Sequence, residues 1–225
     1  MLRATILRLQ AYLDYITAIR VSGRTTITSE ELATVVGLSS SRVRQDLIQI
    51  QVVGRPRSGY DIAEIEVLLS AELDVLSAKG MALVGFGNLG RALAQSGIWE
   101  HAGFALRAIF DNDPERVGQE AAGLTVRHIR ELPGVVRSDK IVSACITVPA
   151  SAAHAIANLL VGAGIRGIWN FAPVSLRVPR DVIVENQHME RGLMTLSCLM
   201  RPAGRQTTAS PMESDKNDTD DVRPS

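Results

Sequence analysis

Cysteine and histidine are scarce in this chain, with two of the first and four of the second among 225 residues. Cys145 and Cys198 sit inside apolar segments and fit no metal-ligand spacing. They read as buried thiols in a reducing compartment, not as a disulfide or a zinc site. His101, His128, His154 and His188 form no cluster and stand beside no obvious nucleophile. Long hydrophobic runs are also missing, since none approaches the ~18 residues of a membrane span. The opening Met1-Leu2-Arg3-Ala4-Thr5 has no signal-peptide core. A cytoplasmic protein without membrane or metal partners is expected. Net charge is absent as well, at formal zero, which excludes a uniformly basic nucleic-acid binder but leaves local patches open.

What is present is enough apolar sequence, 46%, for real cores, and length enough for two small domains. The first part reads as helical. Ile6, Leu9, Leu13, Ile16 and Ile19 recur at three- and four-residue steps, so one helix face is buried. Thr28-Ser29-Glu30-Glu31 is a capping box before a short helix that Gly37 ends. Ser39 or Ser40 caps a third helix with Val43, Leu47 and Ile50 on its apolar side. Short helix, glycine turn and capped helix form a helix-turn-helix layout. Val52 to Tyr60, with two glycines and a proline, suits a hairpin wing tipped by Arg55 and Arg57. Asp61 then caps a connector helix.

Local charge supports a DNA contact. From Met1 to Tyr60 eight arginines face four acidic residues, a local +4 in a neutral chain. Ser40, Ser41, Arg42, Arg44 and Gln45 open the third helix, where a recognition helix meets base edges, and Arg55 and Arg57 suit phosphates or the minor groove.

The second part alternates strand-like and helical runs. Met81-Ala82-Leu83-Val84 is a short apolar strand, followed at once by Gly85-Phe86-Gly87-Asn88-Leu89-Gly90 and a good helix start. That context makes the G-x-G-x-x-G match a dinucleotide loop. Gly85 makes the turn, Gly87 admits a pyrophosphate, and Gly90 lets helix and strand pack closely. The helix-start amides offer an anion site. The next strand, Ala105 to Phe110, ends at Asp111, 21 residues after Gly90. A carboxylate there can accept from ribose hydroxyls and repel a 2′-phosphate, which favours NAD(H) over NADP(H). Asp111 also fits as a turn residue. Strands Ile141–Val148 and Gly167–Asn170 are expected to line the crevice at their carboxyl ends. Thr147, Val148, Pro149, Asn170, Phe171, Ala172 and Pro173 are therefore candidate cofactor contacts. A last strand over 181–184 precedes a helix whose apolar face suits a second subunit. No catalytic residue set is visible, and no substrate domain follows.

Expected boundaries are 1–61 for a winged-helix domain, 62–79 for a connector helix, 80–202 for a Rossmann-type parallel-sheet domain and 203–225 for a disordered tail. The fold class is thus α/β, a winged helix followed by a Rossmann unit.

The order winged helix, connector, Gly85 to Leu93, Phe110 to Pro114, Thr147 to Pro149, Asn170 to Pro173 and Ile183 to Asn186 resembles the bacterial Rex family of redox-sensing transcriptional repressors. Val43-Arg44-Gln45-Asp46-Leu47 and Ser58-Gly59-Tyr60-Asp61 resemble that family's DNA-binding motifs, although lysine is usual at Gln45. Ser96 and His188 stand where the family often has tyrosine and aspartate. The resemblance implies a homodimer joined through the C-terminal helix, a palindromic double-stranded operator, and release of DNA when NADH binds. A relative that binds DNA without an NADH response, and a small NAD-dependent dehydrogenase, are the alternatives.

Overall fold

Capping chemistry lays out the first part of the chain. The structure, a computed structural model, describes residues 1–55 and 58–201; Arg57 and the expected 203–225 tail lie outside the described residues. Helix α1 (Arg3–Arg20) buries Leu9 and Ile16 of the expected stripe and Tyr12 beside them, with Leu13 and Ile19 half-buried, while Ile6, expected on the same face, is exposed. Strand β1 (Thr26–Ile27) leads to Thr28. The Thr28 hydroxyl accepts the Glu31 amide, and the Glu31 carboxylate accepts the Thr28 amide in return. That box starts α2 (Ser29–Val36), which Gly37 ends in the left-handed region at φ 67°. Ser39 caps α3 (Ser40–Gln49) by accepting the Arg42 amide at 3.3 Å. Val43, Leu47 and Ile50 of this segment join Leu9, Tyr12, Ile16 and Leu32 in one core.

The wing closes differently from a simple hairpin. Arg55 bridges Gly59, but β2 (Tyr60–Asp61) pairs antiparallel with β1, which lies before α2 in the chain. Asp61 then caps α4 (Ile62–Glu72) by accepting the Ala63 and Glu64 amides. The helix is shorter than the expected 62–79 connector. Residue Asp74 turns the chain at φ 54°, and the Lys79 ammonium holds that turn by donating to the Asp74 carbonyl at 2.8 Å.

A seven-stranded sheet follows. Its strands are β3 (Lys79–Val84), β4 (Phe104–Asp111), β5 (Glu120–Ala121), β6 (Leu124–His128), β7 (Ile141–Ile146), β8 (Gly167–Asn170) and β9 (Ile183–Asn186). Their spatial order is β5-β6-β4-β3-β7-β8-β9, parallel throughout except for the β5 edge. The chain winds outward from β3 to β6, returns to β7 beside β3, and winds outward the other way to β9. That is the doubly wound order, with its switch point between β3 and β7. Helices α5 (Asn88–Gln95) and α6 (Ile98–His101) pack Ala94 and Trp99 against Leu83, Ile109 and Cys145. On the opposite face α7 (Leu132–Ser138) and α8 (Ala150–Ala163) pack Leu132, Val136, Ala153 and Leu160 against Ala82, Phe110 and Ile146. A central strand covered on both faces has no polar side, which is why β3 reads as an unbroken apolar run.

Two elements of the sheet also differ from the sequence reading. The last strand begins at Ile183, two residues late, because its register is set by the four-residue β8, with Gly167 opposite Ile183 and Asn170 opposite Asn186. The β5–β6 pair was not foreseen, since Leu124-Thr125-Val126-Arg127-His128 buries only Val126 fully and carries edge-strand polarity.

The chain divides into two units, Met1–Gln187 and a second beginning at His188. The second contains α9 (Met189–Leu199), none of whose residues is buried; Leu193, Met194 and Leu199 are exposed. Cys145 is buried, and burial pushes its thiol pKa up, as an inert thiol requires. Cys198, expected to be buried, is exposed on α9.

Candidate functional site

At the switch point a cleft of about 970 Å³ opens, lined by Gly85, Gly87, Asp111, Asp113, Arg116, Ile129, Thr147, Val148, Pro149 and Ile156 among others. Open α/β sheets hold ligands at this place because the chain leaves β3 and β7 in opposite directions. The volume falls within the range of small-molecule and cofactor sites.

The phosphate loop is built by close approach. Gly85 sits at φ 102°, and a Cβ there would meet the Thr147 carbonyl oxygen at 2.8 Å. A Cβ on Gly90 would meet the Gly85 carbonyl oxygen at 2.0 Å, so only glycine lets α5 sit this close to the loop. Gly87 differs, because a Cβ there meets nothing within 4 Å. Its missing side chain leaves open space on the cleft side. Gly87 is also the N-cap of α5 and has no side chain to cover the first amides of that helix. Those amides and the helix dipole favour an anion. Asn88 is exposed and Leu89 half-buried in the same turn. The Thr147 hydroxyl donates to the Gly85 carbonyl at 2.6 Å and so clamps the loop from β7.

Asp111 is committed inside the protein. It is buried, and it accepts from the Phe86 amide at 2.5 Å, the Asp113 amide at 2.9 Å and the Arg116 guanidinium at 3.2 Å. Burial alone would raise its pKa, but the two amides and the guanidinium outweigh it and hold the carboxyl below its usual range. The outward groups are Asp113 and Arg116, paired at 3.2 Å. Phe86 is buried beneath the Arg91 guanidinium, 4.6 Å from the ring centre.

Asn170, Phe171, Ala172 and Pro173 do not line this cleft. The Asn170 side chain is fully buried; it donates to the carbonyls of Ala172 and Val174 and to Asn186 Oδ1, and accepts the Ala172 amide. It folds the turn after β8 and ties it to β9. Phe171 packs edge-on against Trp169 at 4.5 Å. Ala172 is buried, and Pro173 is exposed.

On α3 the exposed residues are Ser41, Arg42, Arg44, Gln45, Ile48 and Gln49, with Ser40 half-buried. Arg44 donates to the Ser29 hydroxyl at 3.0 Å and pairs with Glu30 at 3.5 Å. Arg55 is exposed in the wing.

Two family models match the chain, one described as "CoA binding domain" over residues 77–174 and one as "Putative DNA-binding protein N-terminus" over residues 3–47. A redox-sensing transcriptional repressor Rex from Clostridium acetobutylicum is 34% identical over 202 residues, covering 90% of this chain and 94% of the relative. The Rex repressor of Clostridium kluyveri is 36% identical over 197 residues, covering 88% and 94%. The chain belongs to the Rex family of redox-sensing transcriptional repressors. Among solved structures, a Rex-family repressor named RSP matches with TM-score 0.80 at 33% identity, over 88% of this chain and 92% of that one. RSP in complex with β-NAD+ and operator DNA matches with TM-score 0.82 at 34% identity, over 88% and 91%.

Within this Rex-family chain the tertiary structure brings Gly85, Gly87, Asp111, Thr147, Val148 and Pro149 into one cleft, and leaves the turn after β8 apart from it. Sequence reasoning missed Asp113, Arg116, Ile129 and Ile156. Asp113 and Arg116 carried a weak signal, being charged residues just after a strand end. Ile129 and Ile156 carried none, since apolar residues on a short helical turn and on a helix read as core.

Proposed function

We propose that this protein is a DNA-binding transcriptional repressor that senses the NADH/NAD+ ratio, with NADH binding at the β3–β7 cleft releasing the operator. One observation carries this reading: the uncapped, open loop at Gly87 and the arginine-bearing outer face of α3 occur in one chain. RSP, whose fold is similar, is seen with β-NAD+ and operator DNA and also with β-NADH.

The pyrophosphate is assigned to Gly87 and the first amides of α5, at Asn88, Leu89 and Gly90. The adenine is assigned between Ile129 and Ile156, which offer apolar cover. The ribose is assigned to Asp113, because Asp111 is buried, whereas Asp113, which accepts the Glu115 amide and pairs with Arg116, stays half-exposed in the cleft. Asp111, with Thr147 and Phe86, shapes the loop. Val148 and Pro149 wall the cleft, while the turn from Asn170 to Pro173, apart from it, holds β8 to β9 and takes no cofactor contact. Ser40, Ser41, Arg42, Arg44, Gln45, Arg55 and Arg57 are assigned to DNA. Arg44 leaves Ser29 and Glu30 when a phosphate or a base edge replaces them. These roles assign no catalytic residue, so the dinucleotide is a signal and not a reactant. The domains are 1–61, a linker to 79, and 80–202. The protein acts in the cytoplasm as a homodimer joined through the apolar side chains of α9. NADH acts only through different affinities for two dimer states.

An operator-binding assay titrated with NADH against an NAD+ background tests this. Loss of DNA binding as NADH rises is expected. Operator affinity indifferent to saturating NADH would end the sensing claim.

A further inference from the structure

A buried ionic cluster ties the α3 face to the first helix. Asp46 lies on α3 one turn after Arg42, and its side chain is 1% exposed. Its carboxylate accepts from Arg8 through two parallel bonds, Nε to Oδ2 at 2.6 Å and Nη2 to Oδ1 at 2.7 Å. The Tyr12 hydroxyl donates to Oδ2 at 3.1 Å. Arg42 Nε leans on Oδ1 at 3.6 Å. Arg8 and Tyr12 both belong to α1, so one carboxylate fixes α3 to α1 and also helps to direct Arg42, whose Nη1 donates to Gln45 Oε1 at 3.5 Å.

A fully apolar contact would hold two helices together without burying charge, because buried ion pairs contribute little net stability. What an apolar contact lacks is geometry. A bidentate guanidinium–carboxylate pair sets rotation and register, and the remaining edge of the carboxylate directs a third group. The cluster sits beneath a helix whose outward residues are Arg42, Arg44 and Gln45.

We infer that Arg8 and Tyr12 are positioning residues for operator reading: acting through Asp46, they set the rotation of α3 and aim Arg42 at the DNA. This rests on the reading of α3 as the recognition helix. Arg8 itself touches no DNA, since its charge is spent on Asp46.

The full chain is assayed on two duplexes, an operator selected by this protein from a randomised pool and a scrambled duplex of the same composition. The measured quantity is the ratio of the two affinities. The charge-neutral double variant Arg8→Met/Asp46→Leu keeps helix packing and net charge, and is expected to keep its melting temperature within a few degrees and its affinity for scrambled DNA. Its operator-to-scrambled ratio is expected to fall about tenfold, the scale of one misaimed base contact. Arg42→Ala is expected to cost about tenfold in the parent and less than about twofold in the double variant, because an unaimed arginine has little left to lose. Arg8→Lys, which keeps the charge and loses the fork, is expected to lower the ratio in the same direction while folding normally. An unchanged ratio in Arg8→Lys overturns the inference, as does an equal cost of Arg42→Ala in both backgrounds. If the parent enriches no operator from the pool, the recognition-helix reading itself has failed, which is a different result.

Discussion

Gly87→Ala separates a nucleotide loop from a loop that is merely tight. The new methyl meets no protein atom within 4 Å, so the fold has room for it. Backbone strain is absent too, since Gly87 has φ −75° and ψ −165°. Alanine is a poorer N-cap than glycine by roughly 0.5–1 kcal/mol, and it restricts the unfolded chain by about as much, so stability hardly moves. The only thing the methyl can displace is what approaches the loop from the cleft. A pyrophosphate moved off the α5 amides loses a hydrogen bond to a charged group, worth about 1.5–3 kcal/mol. That converts to about ten- to a hundred-fold weaker NADH binding. Gly90→Ala is the contrasting variant. Its Cβ would stand 2.0 Å from the Gly85 carbonyl oxygen, so α5 must move away or the loop must open. Overpacking on this scale costs about 1–3 kcal/mol of stability. Calorimetric NADH titration and thermal melting together read both variants. Gly87→Ala should weaken binding at unchanged melting temperature, and Gly90→Ala should weaken both. Wild-type NADH affinity in Gly87→Ala would refute the cradle.

Other outcomes follow from the same geometry. If Asp113 meets the ribose, Asp113→Ala is expected to weaken NADH binding several-fold and to improve NADPH binding relative to NADH, since it removes a carboxylate and leaves Arg116 with Asp111 as its one acidic partner; fluorescence titration with both nucleotides checks it. Asp111→Ala should cost more stability than Asp113→Ala, by about 1–3 kcal/mol, because it strands the Phe86 amide, and urea melts read the difference. Asn170→Ala leaves the Ala172 amide and Asn186 without their partner, and should lower stability by about 2 kcal/mol or more while disordering the turn after β8, as amide exchange would report. The pH limits follow from sign. Asp46 and Asp111 have pKa values held below 3.8, so their stabilisation is present above that value and is lost as pH falls through the folded-state values. Tyr12 is pushed up to about 12, chiefly by burial and then by Asp46, so its contribution holds below pH 10 and is lost towards pH 12. Circular dichroism across both limits should show the acid and alkaline transitions, and Tyr12→Phe should blunt the alkaline one.

Local chemistry carried most of the layout. The capping box at Thr28, the Gly37 turn, the Ser39 and Asp61 caps and the apolar run into Gly85 depend on neighbours within a few residues, so they could be read directly. The phosphate loop was legible for the same reason, because strand, glycines and helix start are consecutive. What failed was non-local. The β1–β2 pairing that closes the wing joins residues 26–27 to residues 60–61, and no periodicity announces it. The register of β9 was fixed by the length of β8 and not by its own hydrophobicity.

Sequence alone determined that residues 85–90 would turn and start a helix, because the strand end, the Gly85–Gly90 contact and the helix start are all local, whereas the approach of Gly85 to Thr147 came only with the assembled sheet. Tertiary structure decided how deeply each carboxylate at the end of β4 sits. Asp111 has the right chain position, but folding brings the Phe86 amide and Arg116 to it from two directions and fills its oxygens. Its neighbour Asp113 accepts the Glu115 amide and pairs with Arg116 while staying half-exposed in the same cleft. A buried carboxylate goes to the donors that would otherwise be stranded, and only the assembled sheet shows which donors those are.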